Sequence, residues 1–174
     1  MKTIHVGKIF GLEIDVLPLG FIGTLVLWIL ITVVARSVLG IPFGESLPMG
    51  FLAVIFHWIF EFIHNLGHAA FAKRTGYPML GITFGRLGIL ALSRYPQNEP
   101  TLPPSVHILR ALGGPIFNGV LSVIFYLLLP FWDGNWFWLG MFALFENLTV
   151  YTLQVFLPLG FNDGATILRN VLRR

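Results

Sequence analysis

The chain has 174 residues, of which 56% are hydrophobic and only 11% charged, against roughly 25% charged in soluble domains. It has no cysteine, which excludes disulfides and Cys-ligated zinc and leaves any metal to His and carboxylates. The formal charge of +3 comes from basic residues in short loops beside hydrophobic runs, where they set orientation, so a lipid bilayer is expected as partner and nucleic acid is not.

In chain order, the alternation of Ile4 and Val6, then Leu12, Ile14 and Val16, with Gly7 and Gly11 between, predicts a short sheet element. Val16 to Ala35 follows without a charge and is long enough to cross a hydrocarbon core of about 30 Å. It lacks the basic flank and cleavage site of a signal peptide, so it is expected to stay as a span. Ser46 to Ala72 reads as a second span carrying one formal charge, Glu61. Between Tyr77 and Arg94 the apolar residues are broken by Gly81, Gly85 and Gly88, which predicts a hairpin lying on or dipping into the membrane. A proline-rich loop from Tyr95 to Pro104 leads to a third uncharged run, Ala111 to Trp132. Gly134 to Asn162 is the fourth, with Glu146 as its one charge.

The expected fold is an all-α polytopic membrane protein with four helices at about 16–36, 48–72, 106–130 and 136–157, a short N-terminal sheet element, and a membrane-associated hairpin between helices two and three. One membrane-embedded domain over 1–174 suffices. With four spans, Lys2, Lys8, Lys73, Arg74, Arg86, Arg94, Arg110, Arg169, Arg173 and Arg174 share one side, and only Arg36 lies on the other. The asymmetry predicts both termini in the cytoplasm.

Span two contains His64 and His68, four residues apart and so on one helical face, the spacing that lets two imidazoles reach one metal ion. A bland alternative, two histidines hydrogen-bonded within the bundle, is weaker in a membrane, where polar side chains are costly and a functional role is the default. Asp163 follows span four on the same predicted side. Two His and a carboxylate with an open fourth position is the ligand set of catalytic zinc.

These residues resemble the site-2 protease family of intramembrane zinc metalloproteases. His64 to His68 matches the family's His-Glu-x-x-His, and Leu157-Pro158-Leu159-Gly160-Phe161-Asn162-Asp163-Gly164 resembles the later segment whose Asp supplies the third ligand. Gly114-Pro115-Ile116-Phe117-Asn118 matches the Gly-Pro-x-x-Asn element, and Val6-Gly7-Lys8-Ile9-Phe10-Gly11 resembles the family's opening segment. The resemblance implies one zinc ion on His64, His68 and Asp163, a membrane protein or peptide as substrate, and proteolysis within the membrane. It also implies that the Tyr77–Arg94 hairpin holds an unwound substrate by strand addition. Asn118 and Asn162 are then expected at the substrate or the water, or else as bridges between helices.

Where the family has its catalytic Glu, this chain has Asn65. Asn hydrogen-bonds water but cannot take its proton, and loss of a general base costs on the order of 10² to 10⁴ in rate. Glu61 lies roughly 60° from His64 and 20° from His68 around the helix. It is a substitute base, a fourth ligand, or a partner of His57, and the last is preferred. His57 and Glu146 fall at similar depth near the bilayer centre and are expected to pair with each other. The leading reading is an impaired intramembrane zinc protease. The alternatives are a non-catalytic homologue that binds membrane segments and regulates a partner, and, weakest, a membrane metal carrier.

Overall fold

A computed structural model describes residues 3–172. Two short strands, β1 (Ile4–Ile9) and β2 (Leu12–Val16), are followed by two long helices, α1 (Pro18–Ser37) and α2 (Phe43–Arg74). Strands β3 (Gly81–Arg86) and β4 (Leu90–Arg94) precede α3 (Pro104–Leu128), α4 (Gly134–Phe145) and the short α5 (Asp163–Val171). Pro18–Ser37, Phe43–Arg74, Pro104–Phe131 and Gly134–Phe156 are long and apolar enough to cross a membrane. The protein is an integral membrane protein by this measure, mostly helical as expected.

Two boundaries differ from the sequence reading. Helix α2 starts at Phe43 and continues through Pro48, its sixth residue; the proline forfeits the one hydrogen bond to Gly44 O within the first two turns. The last span does not remain α-helical. It changes to π-helix over Glu146–Thr152 and to a 3-10 turn over Leu153–Phe156.

The β segments add a feature beyond expectation. Both expected segments are present, the N-terminal element as β1–β2 and the hairpin as β3–β4, and what the sequence did not predict is that they join into one four-stranded sheet in the order β1-β2-β3-β4. β1 pairs antiparallel with β2 and β3 antiparallel with β4, while the central pair, β2 and β3, is parallel, with Ile14 opposite Ile82. A parallel pair needs a long crossover, and here the crossover is the whole α1–α2 helical hairpin. Positive φ at Phe10 and Gly11, 52° and 82°, closes the first hairpin in the backbone region that right-twisted strands prefer for two-residue turns.

Polarity is inverted relative to a soluble protein. Phe21, Leu25, Ile29 and Val33 on α1 are exposed, as are Val120, Val123 and Leu127 on α3. Inside, His57, Glu61, His64, Asn65, His68, Asn118, Glu146 and Asn147 are buried. Apolar packing still holds the parts together. Leu12, Ile14, Ala72, Met79, Ile82 and Ala91 join the sheet to α2, and Phe60, Ala143 and Tyr151 join α2 to the last span. Helices α2 and α3 touch backbone to backbone, since a Cβ on Gly67 or Gly113 would collide with the other's backbone. Small residues at a helix crossing permit this approach.

Candidate metal centre

His64 and His68 project from α2 towards α3, and Asp163 opens α5 beside them. Their ligand atoms all lie within 4.8 Å of one another. His64 Nε2 is 3.1 Å from Asp163 Oδ2, and His68 Nε2 is 3.5 Å from Asp163 Oδ1. Bonds of about 2.0 to 2.2 Å place two tetrahedral zinc ligands about 3.3 to 3.6 Å apart. The spacing fits one ion.

The hydrogen bonds behind the imidazoles strengthen the fit. His68 Nδ1 donates to Arg110 O at 2.7 Å. His64 Nδ1 faces Asn118 Oδ1 at 3.2 Å, and the orientation of that amide follows from a chain of contacts. Asn147 Nδ2 donates to Ala143 O, and Asn147 Oδ1 accepts from Asn118 Nδ2, both at 2.8 Å. Asn118 therefore turns its oxygen to His64. With both Nδ1 atoms donating, each Nε2 of the neutral rings is free to bind a metal, the arrangement by which outer partners fix metal-binding tautomers. A cation at that point would meet three donors at once, two imidazole nitrogens and one carboxylate.

Burial pushes the Asp163 carboxyl up, but the adjacent His68 and His64 outweigh it and hold it below the usual carboxylate range. It is ionised at neutral pH, the state in which a carboxylate can bind a metal. It also stands in the first turn of α5, where the helix dipole favours an anion.

Gly114 makes room for the pair. A Cβ at this position would lie 2.5 Å from His64 Nε2 and 2.6 Å from His68 Nε2. Gly114→Ala should therefore displace the imidazoles and lower the bound metal per protein well below that of the parent, at an overpacking cost of about 1 to 3 kcal/mol. Metal analysis beside a thermal unfolding curve checks this.

The remaining candidates fall in different places. Asn118 is wholly buried, its Nδ2 is spent on Asn147, and its Oδ1 faces His64 Nδ1. Asn162 caps α5, accepting from Ala165 N, and donates to Gln154 O and Leu157 O. It shapes the loop that delivers Asp163, though it also lines the cavity. Asn65 is buried, with Nδ2 donating to Glu61 O and Oδ1 accepting from Ser93 Oγ. Glu61 is not paired with His57 as preferred from the sequence; its Oε2 accepts from Ala91 N at 2.8 Å. His57 instead meets Glu146, Nδ1 to Oε1 at 2.6 Å, as the depth argument expects.

His64, His68 and Asp163 line an open cavity of about 670 Å³, together with Glu61, Asn65, β4 and the Val150–Phe161 region. At its rim Arg110 is held by Glu99, with Nη2 to Oε1 at 2.5 Å, and donates to Tyr77 O at 2.6 Å. These hydrogen bonds from Arg110 keep the Glu99 carboxyl below its ordinary range, despite some burial that opposes them. Tyr95 lies against the guanidinium, 4.2 Å from its ring centroid, and burial pushes its phenol up to about 12. The ring stays neutral and serves as a cation–π platform.

Arg110, Asn147, Tyr151 and Ser93 were not singled out from the sequence. Asn147 carried a visible signal, an amide inside an apolar run, which in a bilayer demands a partner. Nothing local marked Arg110 or Ser93.

No family model matches this chain, and no curated protein matches it. Among solved structures, the site-2 protease from Methanocaldococcus jannaschii superposes with a TM-score of 0.66, over 98% of this chain and 72% of that one, at 20% sequence identity. The chain has a site-2 protease-like membrane fold.

Proposed function

We propose that the protein is an intramembrane zinc metalloprotease of the site-2 type, acting on membrane-spanning or juxtamembrane peptides and slowed by Asn65. The observation that carries this reading is the convergence of His64 Nε2, His68 Nε2 and the Asp163 carboxylate within 4.8 Å at the floor of an open cavity. Zinc bound there supplies a Lewis acid that activates water and polarises a carbonyl.

The chain's own residues do the rest. Asn118 and Arg110 O hold the imidazoles in the binding tautomer, and the cavity admits a peptide against the outer edge of β4. That edge belongs to the last strand of the sheet, so a substrate strand adds there and gains affinity from main-chain hydrogen bonds. The contacts of the β3–β4 hairpin with α2 run from Asn65 to His57, which supports reading it at membrane depth. Asn65 offers no proton acceptor of the strength a general base needs, and its amide is already engaged by Ser93 and Glu61 O.

In this reading both termini and the metal site face the cytoplasm. The charge argument includes Lys2, Arg173 and Arg174, which lie outside the described residues; Lys8, Lys73, Arg74, Arg86, Arg94, Arg110 and Arg169 carry it without them. One observation favours a second reading, a non-catalytic homologue that binds membrane segments. Both ends of the Asn65 side chain serve structure, as expected where chemistry at that position has been given up.

The test is one detergent-solubilised preparation assayed for zinc and for cleavage of a membrane peptide. One zinc per chain is expected in the parent and almost none in His64→Ala. A parent free of zinc at neutral pH would sink the proposal, and zinc without cleavage under any condition would favour the second reading.

A further inference from the structure

Helix α2 turns three buried side chains, His57, Glu61 and Asn65, to the outer edge of β4. His57 Nε2 donates to Ile89 O at 2.7 Å, Ala91 N donates to Glu61 Oε2 at 2.8 Å, and Ser93 Oγ donates to Asn65 Oδ1 at 2.8 Å. The helix advances by four residues at each contact and the strand by two. Four helical residues rise about 6.0 Å, and two strand residues advance about 6.6 to 6.8 Å. The two ladders therefore stay in step over all three contacts.

Which edge is engaged follows from strand parity. Arg94 O accepts from Leu80 N on the β3 side, so the backbone groups of Leu90, Leu92 and Arg94 face the sheet. Those of Ile89, Ala91 and Ser93 point the other way, where no fifth strand lies among the described residues. An imidazole covers one outward carbonyl and a carboxylate covers one outward amide. A carboxylate oxygen on Ala91 N–H stands where the carbonyl of an added strand would stand.

We propose that Glu61 is an internal latch on the substrate-binding edge: it occupies the Ala91 amide, and a peptide strand extends along β4 only by displacing it. This rests on the reading of the β4 edge as the place where a substrate strand adds. His57 stays on Ile89 O and Asn65 on Ser93 Oγ, so the hairpin keeps its place when Glu61 lets go. Glu61 thus regulates access to the metal centre from the middle of the same polar stripe that carries its ligands.

The test uses the full-length protein in detergent and a fluorescein-labelled, extended, apolar peptide lacking proline as the probe, read by fluorescence anisotropy. Glu61→Ala should bind the peptide about tenfold tighter than the parent, the effect of one freed hydrogen bond. Glu61→Gln keeps an acceptor for Ala91 N and should stay within about twofold. Should Glu61→Ala fail to fold, Glu61→Leu fills the space without an acceptor and is read the same way. Amide hydrogen exchange at Ala91 should quicken in Glu61→Ala when no peptide is present. Peptide affinity equal to or weaker than the parent's in a folded Glu61→Ala overturns the latch. So does an Ala91 amide that exchanges no faster. Ser93→Pro separates the underlying reading, because it removes an outward N–H. If Ser93→Pro leaves peptide binding unchanged, the peptide does not lie on β4, and strand addition itself fails whatever Glu61 does.

Discussion

Asn65→Glu is expected to raise peptide cleavage by about 10² to 10⁴, the contribution typical of a positioned general base. Asn65 lines the cavity beside both histidines, so a carboxylate there faces the same open volume. The gain should fall on kcat, with KM changed little, because the residue acts on the reacting water and the peptide is held elsewhere. Asn65→Gln has the length of glutamate without its proton affinity, and it should give no gain. Equal gains in both variants would mean that side-chain length matters and proton transfer does not. The substitution also removes the Nδ2 donor to Glu61 O and moves the acceptor for Ser93 Oγ, so some loss of stability should accompany the gain in rate.

Glu146→Leu should cost about 3 to 5 kcal/mol of stability, the usual penalty for stranding one member of a buried ion pair. His57 and Glu146 are 5% and 7% exposed, and their 2.6 Å contact joins α2 to the π-helical stretch. Removing the carboxylate leaves His57 Nδ1 with only the Tyr151 hydroxyl, 3.2 Å away. The double variant His57→Leu with Glu146→Leu should recover part of the loss, since replacing both partners by apolar groups is far cheaper than replacing one. Full recovery is not expected, because Ile89 O also loses its donor. Unfolding of the four proteins of this cycle in mixed micelles gives the coupling energy, and a coupling near zero would remove the pair from any structural role.

Much of this was legible in the chain. The four spans follow from apolar run length, and His64, His68 and Asp163 follow from helical spacing and the family-like motifs. The His57–Glu146 pair came from depth alone, because two charges near a bilayer centre have few ways to be satisfied. What escaped was non-local. The parallel pairing of β2 with β3 joins segments separated by both first helices, and no periodicity reports it. Glu61 was misread for the same reason: its partner is the main chain of Ala91, and backbone donors leave no mark in a sequence. Asn118 and Asn162 were recognised as important, but a motif does not tell a residue that touches substrate from one that orients a ligand or caps a helix.

The parallel β2–β3 pair also bears on assembly. β2 precedes α1 and β3 follows α2, so the strands can zip together only when both ends of that helical hairpin have come to the same side of any membrane it crosses. The strand pair thus closes only after both helices of the hairpin are in place. During synthesis β2 leaves the ribosome first and must wait for two helices before its partner exists, a non-local closure of the kind that slows folding. A chain whose first helix inserts the wrong way round leaves β1 and β2 with an open edge, and that error is marked by an unpaired strand.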